Sequence, residues 1–295
     1  MTALRLGTRG SVLARTQSSS VAAALASVIG RRVDLVVIRA EGDDVTIPLD
    51  APPRPGAFVA TLRDALGAGE VDLVVHSFKD LPSVPMAGLV VAAIPARADA
   101  RDALCARDGL TLAGLPRGAR IGTSSPRRAA ALRRVRPDVK IVPVRGNVDT
   151  RLRKVADGQV DAVVLAGAGL QRLGRADVIT EWLDPAVCVP APAQGALAVE
   201  CRAGTLESVL ASLDDNATRL AVTAERAVLA GVEAACTTAV GAHAVWQGAG
   251  ELRLLAEVTD HRGVEHGRSS RQVRVTTSAE AEALGLAAAQ ELLAG

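Results

Sequence analysis

The sequence predicts an α/β protein of two successive sheet-and-helix domains with a small α+β domain at the C-terminus. Three observations carry this. Apolar runs of strand length, such as VDLVV at 71–75 and VDAVVL at 160–165, end abruptly in polar or glycine-containing corners. Several corners lead into helix-capping residues, Ser11, Ser125 with Pro126, and Asn147, which is the strand-to-helix rhythm of a largely parallel sheet. After Asp215 the rhythm changes to one long helical pattern, three short strand patterns and a closing helix.

Ala3 to Leu6 reads as a strand, and Ser11 caps a helix whose apolar positions Val21, Ala24, Leu25 and Val28 recur at three and four residues. Arg9 and Ser11 therefore lie in a strand-to-helix turn, where free N–H groups favour anions. Val33 to Ile38 is the second strand. The Asp- and Pro-rich stretch Glu41 to Gly56 is too long for a simple connector and reads as a lid or a disordered loop. A helix is expected over Ala57 to Gly67. The strand 71–75 follows, and its carboxyl end delivers His76, Ser77, Phe78, Lys79 and Asp80 before Pro82. Open α/β sheets bind ligands at such strand ends. Lys79 is one of three lysines among 34 basic residues, so a compact ammonium has been used where this chain ordinarily uses arginine. The alternative is a solvated Lys/Asp pair of little energetic consequence. Leu89 to Ile94 closes the first domain.

In the second domain Ala119 to Ile121 ends in Gly122, Thr123 and Ser124, and Ser125 and Pro126 start a helix with Arg127 and Arg128 in its first turn. Cations are unfavourable there by roughly 1 kcal/mol or less each, and a bound anion reverses the sign. Two readings stay open, an anion site or two arginines splayed into water. The pattern repeats at Ile141 to Val144, Arg145, Gly146, Asn147 and Arg151, and again at Val160 to Leu165 with Arg172. Three arginine-bearing corners predict one cationic rim along a sheet edge. The proline-rich segment 187–194 carries the chain back, giving domains 1–95 with 196–214, 96–195, and 215–295.

The formal net charge of +2, with two Phe, two Trp and no Tyr in 295 residues, offers neither the field nor the stacking surface of a nucleic-acid binder. The charged N-terminal stretch and the lack of a run of 18 or more apolar residues lead us to expect a cytoplasmic protein with no membrane partner. Cys105, Cys188, Cys201 and Cys236 are widely spaced, so no metal site and no disulfide framework is indicated.

The motifs TRGS, HSFKDLP, GTSSPRR, RGNVDTR, APAQGALAVECR, VTAER and EAACTTAVGAHA occur in this order along nearly the whole chain, and in this the sequence resembles the porphobilinogen deaminase (hydroxymethylbilane synthase) family. The resemblance implies two α/β domains similar to periplasmic binding proteins, with the active cleft between them. It also implies a third domain whose loop cysteine, Cys236 by motif, holds a dipyrromethane cofactor through a thioether. Asp80 would be the catalytic carboxylate, with Lys79 beside it. The carboxylates of the cofactor and of the bound porphobilinogen units would be held by Arg9, Ser11, Lys79, Ser125, Arg127, Arg128, Arg145 and Arg151, with Thr123, Ser124 and Arg172 as further candidates. Phe58 matches the aromatic residue expected near the cofactor. Each cycle would expel ammonia to give an azafulvene, which the free α-carbon of the terminal ring attacks. The resemblance also implies a monomer.

The chain departs from the family at the loop lysines, where Ala51 and Pro55 stand and Arg54 is the only basic residue. A non-catalytic two-lobed anion-binding module is the rival reading. It leaves Cys236 and Asp80 without a purpose.

Overall fold

The computed structural model describes residues 3–38, 57–233, 239–260 and 264–294. Following the chain, β1 (Leu4–Thr8), α1 (Val12–Ile29), β2 (Val33–Val37), α2 (Ala57–Gly67), β3 (Leu73–Ser77) and β4 (Leu89–Ala93) come first. Then follow β5 (Asp102–Ala106), β6 (Arg120–Gly122), α3 (Pro126–Val135), β7 (Lys140–Val142), α4 (Val148–Ala156), β8 (Ala162–Ala166), α5 (Gly167–Arg172) and β9 (Glu181–Trp182). The remainder is β10 (Leu197–Arg202), α6 (Glu207–Leu210), α7 (Asn216–Glu233), β11 (Ala239–Trp246), β12 (Glu251–Thr259), β13 (Glu265–Arg274) and α8 (Ser278–Ala294). Two compact units result, residues 1–97 with 196–218, and residues 98–195 with 219–295.

The first unit is built on a five-stranded sheet in the order β2-β1-β3-β10-β4. The strands β1, β2 and β3 run parallel and β10 is antiparallel to β3, so the ends of β1 and β3 and the start of β10 share one edge. Helix α1 covers one face through Val21 and Leu25 packed with Leu6, Leu73 and Val75, and α2 brings Leu62 and Leu66 onto Val71 and Val74. Each fully buried leucine contributes roughly 1.5–3 kcal/mol of hydrophobic stabilisation. Helix α1 is long and apolar enough to meet the measure of a membrane span by length and composition, contrary to the sequence reading. Its buried Val21, Ala22 and Leu25 belong to this core, and a core helix meets the same measure.

The second unit holds the sheet β7-β6-β8-β5-β9. Strands β6, β7 and β8 are parallel, which sets their three carboxyl-end corners on one edge. Strand β5 is antiparallel to β8 and its first residue, Asp102, lies opposite Ala166 at that edge. The sheet β11-β12-β13 has a core of its own with α7 and α8, including Val228, Leu254, Leu284 and Leu292. The sequence reading separates 215–295 as a domain; here 219–295 group with 98–195, and 215–218 with the first unit. Among the ties are the Arg134–Glu257 ion pair at 2.9 Å and the hydrogen bond from Ala242 N to Pro190 O at 2.9 Å.

Elements with local signals fall where expected. The differences include β3, which continues through His76 to Ser77, and β5 and β9, which the sequence reading does not include. In the C-terminal sheet β11 and β13 are longer than expected.

Candidate active site

In the first unit a cavity of about 230 Å³ opens at the sheet edge, and Arg9, Gln17, His76, Ser77 and Asp80 line it. Each arrives for a local reason. Arg9 is half-buried in the turn between β1 and α1, where the Ser11 hydroxyl accepts from Ala14 N at 3.3 Å as the helix cap. Asp80 ends the 3₁₀ turn Phe78–Asp80. This turn is pinned by Phe78 N donating to Ala196 O at 3.0 Å and by burial of the Phe78 ring. That geometry leaves Asp80 exposed at the cavity and Lys79 half-buried beside it. Gln17 and Ser77 hydrogen-bond to each other at 3.0 Å. Apolar Val59 and Leu62 of α2 form another wall. The mixture of one carboxylate, one guanidinium and hydrocarbon suits a small ring bearing both anionic and N–H groups.

In the second unit the Ser125 corner has the predicted cap, with Pro126 opening α3 and Ser125 Oγ accepting from Arg128 N at 3.4 Å. Arg127 and Arg128 neither splay into water nor wait for an external anion. Both are buried on Asp102, a carboxylate the sequence reading did not single out, with N–O distances of 2.8 and 2.7 Å. Asp102 also accepts from Gln194 Nε2 at 2.9 Å and Cys188 Sγ at 3.3 Å. Burial opposes its ionisation, but the charges and hydrogen bonds of Arg127 and Arg128 outweigh it and hold the carboxyl far below the usual range. The remaining donors of the two guanidiniums reach Val189 O and Val164 O. The hydroxyl of Ser124 bridges to Val144 N and O, and that of Thr123 accepts from Ser125 N at 3.2 Å. Both tie the corner together.

The other corners differ. Asn147 caps α4 by accepting from Thr150 N at 2.9 Å. Arg151 Nε donates to Gly146 O at 2.8 Å, and Asp149 pairs with Arg175. Arg151 thus has no carboxylate partner among the described residues; burial, and then the like charge of Arg128, lower its pKa. Arg172, which donates to Gly195 O at 2.7 Å, has its pKa lowered by burial. Arg145 is exposed, with no ion pair among the described residues. This edge therefore carries guanidiniums in excess of carboxylates, which is the donor set for a ligand with several carboxylates. A dipyrromethane fits that chemistry.

Cys236 and the loop residues Ala51, Arg54 and Pro55 lie outside the described residues. Phe58 falls in the first turn of α2, where its side chain is likewise outside them. Cys105, Cys188 and Cys201 are buried thiols. Sequence reasoning missed Gln17 and Glu200 as well as Asp102; the glutamate lies within the APAQGALAVECR motif but its partners are distant in the chain.

The profile described as "Porphobilinogen deaminase, dipyromethane cofactor binding domain" matches residues 4–209, and "Porphobilinogen deaminase, C-terminal domain" matches residues 219–294. Porphobilinogen deaminase of Nocardia farcinica is 51% identical over 299 residues, covering 99% of this chain and 86% of the relative. That of Thermobifida fusca is 49% identical over 294 residues, covering 99% and 92%. Among solved structures, a periplasmic substrate-binding protein of an ABC transporter from Coxiella burnetii matches with a TM-score of 0.45 at 16% identity, covering 73% of this chain and 93% of that one. Identity near one half along almost the entire length, with both domain profiles in order, means that the chain belongs to the porphobilinogen deaminase family.

Proposed function

We propose that the protein is a hydroxymethylbilane synthase, which deaminates porphobilinogen and condenses four molecules head to tail, releasing ammonia and the linear tetrapyrrole hydroxymethylbilane. The observation that supports this chemistry best is the second unit's sheet edge, where Arg145, Arg151 and Arg172 have no carboxylate partners among the described residues. A substrate carrying acetate and propionate groups supplies the missing charge, through charge-assisted bonds of roughly 1.5–3 kcal/mol each where water is excluded. Arg127, Arg128 and Ser125 shape that edge, and Ser124 and Thr123 hold its corner in place.

When bound, the dipyrromethane supplies the free pyrrole α-carbon at which condensation starts, and we assign Cys236 as its thioether anchor. Asp80 faces the positive charge that develops on the pyrrole as the C–N bond breaks and ammonia leaves. Its carboxylate then takes the proton from the ring carbon once the new C–C bond has formed. Lys79 supplies an opposite charge beside it, and Arg9 with Ser11 meets the carboxylates of the incoming substrate. The same reading makes the protein a cytoplasmic monomer.

Two measurements test this. Intact mass of the protein beside its Cys236→Ser variant should show an excess of two linked pyrrole units in the parent alone, after reconstitution with porphobilinogen where needed. Asp80→Asn should keep that mass excess and lose at least about a hundredfold in turnover. No adduct on the parent refutes the reading, and near-parental turnover removes Asp80 from the chemistry.

A further inference from the structure

Helix α2 turns a stripe at helical spacing toward the sheet, Val59, Leu62, Arg63 and Leu66. One member is a buried guanidinium, and neither the catalytic turn nor the anion edge uses it. The sheet places a carboxylate for it. In the antiparallel pairing of β3 with β10, Val74 lies opposite Glu200 and His76 opposite Ala198, so Glu200 shares one face of the sheet with Val74 and His76. Onto that face α2 packs Leu62 and Leu66. On the other side of β10 the pairing with β4 shifts register between Val199 and Glu200, and such irregularities re-aim a side chain. Arg63 holds both carboxylate oxygens, Nη2 to Oε1 at 2.8 Å and Nε to Oε2 at 3.0 Å. His76 Nε2 is 3.2 Å from Oε2.

The two ends of α2 are held differently. Toward its C-terminus Leu62, Ala65 and Leu66 pack on Val71 and Val74, and Arg202 Nη1 donates to Leu66 O at 2.6 Å and Val71 O at 2.7 Å. Val59, one turn nearer the N-terminus, is not part of that cluster. It lines the cavity together with Leu62, Ser77 and Asp80. Apolar contact has no direction, so the leucines alone let the helix turn about its axis or slide along the sheet. A planar fork on a carboxylate has one geometry. Arg63 lies four residues after Val59 and beside Leu62, so fixing its direction fixes theirs. Asp80 is held independently of α2, because its turn is pinned by Phe78 N donating to Ala196 O at 3.0 Å.

We propose that Arg63 is a positioning residue for substrate binding: its fork on Glu200 fixes the rotation of α2, and so sets Val59 and Leu62 as the apolar wall against which the porphobilinogen ring lies. The assignment rests on the activity proposed above. A displaced wall weakens the hold on the ring and leaves Asp80 in place, so the effect falls on KM rather than on kcat. Stability and position are separable here. Neutral residues of similar volume replace a buried ion pair without loss of stability in many proteins, whereas removing one partner alone is costly. The directional fork is what such a replacement does not restore.

The test uses reconstituted holoenzyme. Arg63→Lys keeps the charge beside Glu200 and loses the fork. The paired variant Arg63→Met/Glu200→Gln removes both charges, leaves neither partner unpaired and keeps a hydrogen-bonding group toward His76. Both should carry the full dipyrromethane mass excess and melt within about 4 °C of the parent. Both should raise KM for porphobilinogen about tenfold, the worth of one apolar side-chain contact, with kcat within about threefold. A double-mutant cycle reads the wall itself: Val59→Ala should raise KM about fivefold in the parent and less than about twofold in the Arg63→Lys background, where the wall is already displaced. A purely structural pair predicts otherwise, with KM following the melting temperature and the two effects multiplying. The proposal is therefore overturned by a stable paired variant whose KM is within about twofold of the parent, or by full multiplication in the cycle. Loss of folding in the paired variant overturns it too, since the ion pair would then hold the fold and not the wall. Failure of the parent to release ammonia from porphobilinogen overturns the activity reading as well, whereas ammonia release with an unmoved KM in both Arg63 variants overturns the Arg63 assignment alone.

Discussion

Replacing Asp102 by Asn keeps the shape of the side chain and removes one negative charge from a place where water cannot replace it. Asp102 is fully buried, and the side chains of Arg127 and Arg128 paired to it are 5% and 8% exposed. The variant leaves two buried guanidiniums with no carboxylate, facing the carbonyls of Val189 and Val164 and the Cys188 sulfur. Breaking a buried ion pair by neutralising one member costs about 3–5 kcal/mol. For a folding unit of this size that lowers the melting temperature by about 6–20 °C. Acid provides a second signature. The folded-state pKa of Asp102 lies far below the carboxylate range, whereas the unfolded chain takes up this proton near pH 3.9. As pH falls below about 4 the unfolded state binds a proton that the folded state refuses, so this part of the stability is present at neutral pH and lost progressively in acid. Asn has no such proton, and the stability gap between parent and variant should narrow as pH falls from 5 toward 2. Thermal and guanidinium denaturation of the full chain read both effects. A drop under about 2 °C, which is less than about 1 kcal/mol, or a gap that does not narrow in acid, refutes the claim that Asp102 is the counter-charge of this corner.

Arg151→Met should leave stability unchanged or raise it by up to about 1 kcal/mol, because a desolvated cation with no carboxylate beside it is removed, while KM for porphobilinogen rises at least about tenfold; a fall in melting temperature with unchanged KM contradicts this. Gly195→Ala should lower the unfolding free energy, read by denaturant titration, by about 1–3 kcal/mol, since Gly195 has φ +88° and an added Cβ would press on the Ala98 carbonyl oxygen. Burial pushes the thiols of Cys105 and Cys188 up to about 12. At pH 8 neither should react with iodoacetamide in the folded protein, and both should react in denaturant, as peptide mass mapping will show.

The parts of this fold that were legible in the sequence depend on neighbours within a few residues. Ser11, Ser125 and Asn147 are caps because each meets an N–H three residues later, and the parallel corners follow from strands punctuated in that way. What escaped depends on register. Asp102 opens an unremarked strand, and only the antiparallel pairing of β5 with β8 sets it opposite Ala166, under the arginines of α3. Glu200 meets Arg63 from 137 positions away. The same pair explains why β3 runs two residues further than its apolar run: His76 continues the strand because Glu200 answers its polar edge, so the polar residue that looks like a strand end is an interior position.

These internal carboxylates change what the arginine-rich corners mean. From sequence, Arg127 reads as an anion site whose loss would spare the fold. With Asp102 in place it is a structural ion pair, and Arg127→Leu should weaken folding together with anion binding. At that corner Arg127 and Arg128 share one carboxylate and the neighbouring Arg151 has none among the described residues, which leaves two positive charges uncompensated. Burial keeps them from being screened as surface charges are, while the chain as a whole stays near neutrality at +2. A strong local attraction for polycarboxylates therefore coexists with little general affinity for polyanions such as nucleic acid, whose capture depends on extended exposed charge. Asp102 sets this balance: it cancels enough charge for the arginines to be buried and oriented, and too little to satisfy them.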